Sequence, residues 1–141
     1  MYNILIVSHG SIAKGFYETA EMIMGDVEGV RAIGIQPGES AQDFGEKVVK
    51  LADEIYTEDG LLVLADLFGG TPSNTAIMKL LNRYDNIQLI SGINLPILLE
   101  ALGGRVMALE DMKDNLINIG KDGIVDVNKV VAGSSSHEDD E

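Results

Sequence analysis

The sequence predicts a single α/β domain built on a doubly wound, mostly parallel sheet, and three observations carry that prediction. Short β-branched apolar runs alternate with amphipathic stretches along nearly the whole chain. The most apolar runs, Ile4-Leu5-Ile6-Val7 and Leu61-Leu62-Val63-Leu64-Ala65, lack the polar alternation of a half-exposed strand, so they read as strands covered on both faces. A chain of 141 residues with 45% apolar content can bury one ordinary core unaided.

Residues 2–7 form the first predicted strand. Ser11 stands where a helix cap belongs, ahead of a helix over 12–24 with Ile12, Phe16, Ala20 and Ile23 as its apolar stripe and Gly25 as its stop. Strand two covers 30–35. After the turn signal Gln36-Pro37-Gly38, Ser40 and Asp43 resemble a capping box for a helix that turns Phe44, Val48, Leu51 and Ile55 inward and ends near Tyr56.

Strand three covers 61–65, and Gly69-Gly70-Thr71-Pro72 leads into a helix over 72–81, with proline in the first turn where its missing N–H costs nothing. Strand four covers 87–90. Asn94 caps a short helix through Leu95, Leu98, Leu99 and Leu102 that Gly103-Gly104 breaks. A further helix spans 109–119 and stops at Gly120, and residues 123–127 alternate like a last strand at a sheet edge. Residues 132–141 read as a Ser-rich, acidic, disordered tail, so the domain itself occupies 1–131.

Repeated strand-helix order implies right-handed crossovers and a flavodoxin-like strand order, 2-1-3-4, with the 123–127 strand added at an edge. In that order strands one and three are neighbours at the switch point, and ligands bind just beyond their carboxyl ends. Those ends are Ser8-His9-Gly10 and Asp66-Leu67-Phe68-Gly69-Gly70.

Composition narrows the function. Ten Lys plus Arg against 23 Asp plus Glu leave a net charge of −13, which repels phosphate backbones and anionic lipids, so nucleic acid is not an expected partner. A basic protein partner would be steered towards such a surface. With no cysteine, thiolate catalysis, disulfides and iron–sulfur clusters are excluded, and no segment reads as a membrane span or signal; a cytoplasmic location is expected.

His9 lies where a buried strand emerges into a glycine turn, which leaves its ring accessible. A neutral imidazole nitrogen is a competent nucleophile towards phosphorus. Asp66, at the end of the neighbouring strand, can hydrogen-bond one ring nitrogen, aim the other and stabilise charge developing on the ring. Gly69-Gly70 before a helix lets backbone N–H groups and the helix dipole converge on an anion, with Thr71 and Ser73 as hydroxyl donors. Each feature alone has a plain reading as a turn residue; their conjunction at adjacent strand ends is specific. No metal-ligand cluster or cofactor fingerprint is visible. His137, in the acidic tail, reads as solvated, and the Met22 and Met24 pair reads as core filling first and as an adaptable partner surface second.

Ile6-Val7-Ser8-His9-Gly10 and Asp66-Leu67-Phe68-Gly69-Gly70-Thr71-Pro72-Ser73-Asn74 together resemble the signature of the IIA domain of mannose-family (mannose, fructose, sorbose) sugar phosphotransferase systems. Gly92-Ile93-Asn94-Leu95-Pro96 and Pro37-Gly38-Glu39 extend the resemblance from the first strand to about Val131. It implies that His9 accepts a phosphoryl group from the phosphohistidine carrier HPr, through Nε2 with Nδ1 on Asp66, and passes it to a IIB component. The sugar is then phosphorylated elsewhere, so the membrane permease is only an indirect partner. It further implies that residues 69–71 cradle the phosphate and that two chains pair by exchanging the 123–127 strand, antiparallel, in a homodimer. The IIB partner is expected on a separate protein. Some relatives carry a hydroxyl residue after the aspartate, where this chain has Leu67.

Three other functions compete on this type of sheet. A histidine phosphatase needs an arginine beside its nucleophile, where this chain has Ser8; a flavin or nucleotide module would need phosphate-binding fingerprints that are missing. A response regulator would need an acidic pair after strand one.

Overall fold

The structure is a computed structural model and describes residues 1–139, with side chains as far as Gly133. Four strands, β1 (Asn3–His9), β2 (Val30–Ile35), β3 (Leu61–Ala65) and β4 (Ile87–Ser91), alternate with the helices α1 (Ile12–Met24), α2 (Ala41–Ile55) and α3 (Thr71–Leu80). After β4 the chain is helical: α4 (Leu95–Gly103), α5 (Leu109–Asp122) and α6 (Val127–Asp139). The strands form one parallel sheet in the expected order β2-β1-β3-β4, with Ile4 paired to Val30 on one side and to Leu62 on the other. Among the described residues no helix is long and apolar enough to cross a membrane.

The period-two geometry of a strand sends alternate residues to opposite faces, and here both faces are dry. Ile4, Ile6, Leu62 and Leu64 pack with Ala13, Ala20, Leu98 and Leu116 of α1, α4 and α5. Leu5, Val7, Leu61 and Val63 pack on the other side with Phe44, Val48, Ala76 and Leu80 of α2 and α3. The result is three layers, helices over a sheet over helices, with the carboxyl ends of all four strands on one rim.

Caps behave partly as the sequence predicts. Ser40 Oγ accepts from Asp43 N–H at 3.0 Å and Asn94 Oδ1 from Ile97 N–H at 3.1 Å. Ser11 makes no side-chain cap, and α1 buries Ala13 and Ala20, with Phe16 and Tyr17 half-covered, whereas Ile12 and Ile23 are about half exposed. The buried stripe of α1 is therefore rotated from the predicted one, because two alanines allow the helix to lie close to the sheet.

One further expectation is corrected. The helix predicted to stop at Gly120 runs on to Asp122, because Gly120 is a contact residue: a Cβ there would stand 2.5 Å from Ile97 Cδ1. Asn94 Nδ2 donates to Gly120 O at 2.8 Å, joining α5 to the cap of α4.

The expected edge strand over 123–127 is not seen in the single chain. Among the described residues no strand pairs with it, and its backbone joins the helices on either side: Ile124 N–H donates to Lys121 O and Val130 N–H to Asp126 O. Asp126 Oδ1 accepts from Lys129 N–H at 3.2 Å at the start of α6, and Ile124, Val125 and Val127 remain exposed. Where the sequence suggests a tail beginning at residue 132, the backbone continues in α6 to Asp139; Asp140 and Glu141 lie outside the described residues.

Candidate active site at the switch point

β1 and β3 are adjacent and parallel, with Val7 paired to Ala65, so the residues that follow them emerge side by side. Asp66 N–H donates to Val7 O at 3.2 Å, carrying the ladder one residue further. Asp66 Oδ2 then accepts from both the backbone N–H of His9, at 2.9 Å, and the His9 ring through Nδ1, at 2.8 Å. Its other oxygen, Oδ1, accepts from Leu67 N–H at 2.9 Å. Leu67, whose side chain points to solvent, thus contributes through its backbone at the position where some relatives carry a hydroxyl.

These bonds decide the state of the carboxyl. Burial, with 6% of the Asp66 side chain exposed, pushes its pKa up, but the backbone and ring hydrogen bonds from His9 and the N–H of Leu67 outweigh it and hold the group below the ordinary carboxylate value. Asp66 is therefore an anion under the ring. The His9 side chain is 46% exposed, and with Nδ1 occupied the nitrogen left for chemistry is Nε2.

The ring lies against Gly70. A Cβ at that position would stand 2.6 Å from His9 Cε1 and 3.1 Å from Nε2, so only glycine lets the imidazole rest on the backbone there. Gly70 is also the N-cap of α3 and has no side chain to close it, Pro72 stands in the first turn, and Gly69 reaches its turn with φ +94°. The first N–H groups of a helix have no internal acceptor, so those of Thr71 and Ser73 are free for an anion at the positive end of the dipole. Ser73 is buried and Thr71 half-buried. His9, Asp66, Gly69, Gly70, Thr71 and Ser73 are thus gathered at one end of the sheet, while His137 lies in α6, its side chain outside the described residues.

Other motifs prop this rim. Gly92 and Ile93 donate their N–H groups to Ala65 O at 3.0 and 3.1 Å, anchoring the end of β3 immediately before Asp66. In the Pro37-Gly38-Glu39 turn, Glu39 accepts from Gln36 N–H and from Lys47 Nζ, which fixes the end of β2.

Sequence reasoning passed over Ser8 and Gly34. Ser8 is fully buried; its Oγ accepts from Ala13 N–H at 2.8 Å and donates to His9 O at 3.1 Å. It does the capping that Ser11 was expected to do. Gly10 adopts φ +54°, and a Cβ on Gly34 would collide with Gly10 O at 1.7 Å, so the turn carrying His9 lies flat on the neighbouring strand. The available signal was a small polar residue at the end of an otherwise apolar strand.

Residues 3–118 match the family model described as the PTS system fructose IIA component, EIIA-man. This chain belongs to the mannose-family IIA components of the sugar phosphotransferase system. Relatives agree with the assignment of the IIA chain. It is 35% identical over 117 residues to the PTS system fructose-specific EIIA component of Bacillus subtilis, covering 82% of this chain and 80% of that one. It is 36% identical over 102 residues to the PTS system mannose-specific EIIAB component of Escherichia coli, covering 72% of this chain and 31% of that longer protein. Among solved structures, phosphotransferase system component EIIA from Streptococcus agalactiae superposes with a TM-score of 0.80 at 35% identity, covering 92% of this chain and 99% of that one.

The IIA chain is accordingly a phosphotransferase component. Its arginines lie away from the site: Arg83 pairs with Asp53, Arg105 binds the backbone near the start of β1, and Arg31 donates to Val30 O. A histidine phosphatase, which needs an arginine beside its nucleophile, therefore has no support.

Proposed function

We propose that His9 is the phosphoryl carrier of this IIA component: Nε2 takes the group from the phosphohistidine of HPr and surrenders it to a IIB component. The observation that carries this reading is the commitment of Nδ1 to Asp66, which leaves a half-exposed Nε2 beside the open N-terminus of α3. In each transfer a P–N bond to the departing ring breaks as one to the incoming ring forms, and the shared group is metaphosphate-like, so positioning and charge stabilisation do most of the work. Asp66 stabilises the positive charge that His9 acquires on attack while the proton stays on Nδ1. The amides of Gly69, Gly70, Thr71 and Ser73 and the hydroxyls of Thr71 and Ser73 receive the phosphoryl oxygens.

The reading extends to place and assembly. Such a component works in the cytoplasm and meets the sugar permease only through IIB. Two copies pair by exchanging residues 123–127, each strand adding to the edge of β4. Supporting this, β4 has a strand neighbour on one side only among the described residues, and a groove of about 370 Å³ beside it is lined by Phe68, Ile77, Leu81 and Leu89. The segment that would fill it carries exposed Ile124, Val125 and Val127.

Intact mass after incubation with phosphoenolpyruvate, enzyme I and HPr tests the carrier role. One acid-labile phosphoryl group is expected on the wild type and none on His9→Ala. A wild type that stays unmodified beside demonstrably phosphorylated HPr overturns the proposal.

A further inference from the structure

The geometry points to Ser8 as a positioning residue for phosphoryl transfer, its buried hydroxyl holding the His9 main chain so that the ring presents one tautomer to the partner. This inference rests on the carrier reading of His9. A hydroxyl has one proton to give and two lone pairs to accept with, and Ser8 spends the proton on His9 O and a lone pair on Ala13 N–H. The first bond fixes the carbonyl of His9; the second ties that carbonyl to the first turn of α1. The His9 N–H, on the other side of the same residue, lies on Asp66 Oδ2, the oxygen that also holds Nδ1. Backbone and ring are therefore aimed at one acceptor, and the aim depends on both peptide groups of His9 being pinned.

The surroundings leave the hydroxyl no substitute. Ser8 is fully buried between two strands, and a Cβ on Gly34 would stand 3.2 Å from its Oγ, so the space beside it is taken up by the Gly34 backbone and the Gly10 carbonyl. Without the hydroxyl, Ala13 N–H would lack its acceptor in the interior, and the His9–Gly10 peptide would be held on one side only, by the Gly10 N–H that donates to Ile35 O at 2.8 Å, and could tilt about that bond. The ring would then reach Asp66 in a fraction of molecules only, and the remainder would expose the protonated nitrogen, which has no lone pair for phosphorus.

A role confined to holding α1 would lower stability and leave the ring untouched. The two are separated by ¹⁵N spectra of histidine-labelled protein, in which His137 is the only other histidine. Wild-type His9 is expected to show a protonated Nδ1 and a bare Nε2. Ser8→Ala should mix in the other tautomer and slow phosphoryl uptake from phosphorylated HPr about tenfold, the scale on which small misplacements act. Ser8→Thr, which keeps the hydroxyl, should restore both readouts. Ser8→Cys keeps the volume with far weaker hydrogen bonding, so it covers the case in which the alanine variant does not fold.

A folded Ser8→Ala or Ser8→Cys protein with the wild-type ring spectrum and the wild-type rate overturns the inference. Absence of transfer to the wild type would instead refute the carrier reading, and the tautomer comparison would still decide the role of Ser8.

Discussion

At the residue scale the site depends on a carboxylate that satisfies three N–H donors: His9 N–H and Nδ1 on Oδ2, and Leu67 N–H on Oδ1. Asn at position 66 has a single oxygen, so one side of that arrangement would face an NH₂ group and repel a donor. Asp66→Asn is expected to slow phosphoryl uptake by HPr-linked assay by roughly 100-fold, from loss of ring alignment and of the charge beneath it. The same carboxyl makes stability depend on pH. Its folded pKa is depressed, so its contribution is present above the range where an unfolded aspartate titrates and is lost as pH falls through the lower folded value. Urea midpoints of wild type and Asp66→Asn should accordingly differ at neutral pH and converge on acidification. His9 and Asp66 could be read from the sequence because strand ends at a switch point announce themselves by composition. Ser8 could not, since its work lies in a contact with Ala13 N–H that exists only once α1 has packed.

The helical elements owe their lengths to specific groups, and these make a second class of expectation. Asn94 caps α4 with its oxygen and holds Gly120 O of α5 with its nitrogen, so Asn94→Ala should cost about 1 to 2 kcal/mol in chemical denaturation, more than an isolated cap removal at the low end of the usual range. β1 and β3 were legible because their apolar runs are continuous and both faces of each are buried; β2 and β4, interrupted by Arg31 and Gln88, are covered only in part. The run over 123–127 stays outside the sheet of the single chain: alternation is a local property, whereas a strand exists only where a neighbour supplies the ladder, and in the proposed pair that neighbour is β4 of the other copy. Gly120 misled. Its composition signals a stop, but the demand it meets is room for Ile97 across the helix pair.

Across the whole molecule, the two ends of the sheet are built differently. The end opposite His9 is closed by Arg105, almost fully buried, which donates to Tyr2 O, Glu28 O and Asn3 Oδ1 at 2.8, 2.6 and 2.6 Å. Arg105→Ala would strand two main-chain carbonyls and an amide oxygen; a loss of roughly 2 to 4 kcal/mol is expected from urea melts. Because that clamp lies at the far end of β1 from the site, the folded variant should accept phosphoryl groups at close to the wild-type rate, a dissociation of stability from activity measurable by the same mass assay.

The single uncommitted nitrogen of His9 has a kinetic consequence. If transfer runs through that atom, donor and acceptor must reach it from the same open side, since Asp66 and Gly70 already occupy the others. The two partners then cannot dock together and must take turns, the donor departing before the acceptor arrives. Steady-state rates would follow a double-displacement pattern, with each partner inhibiting the other at high concentration by occupying the wrong form of the carrier. Flux through such a component would be greatest when its two partners are balanced, and an excess of either would throttle it.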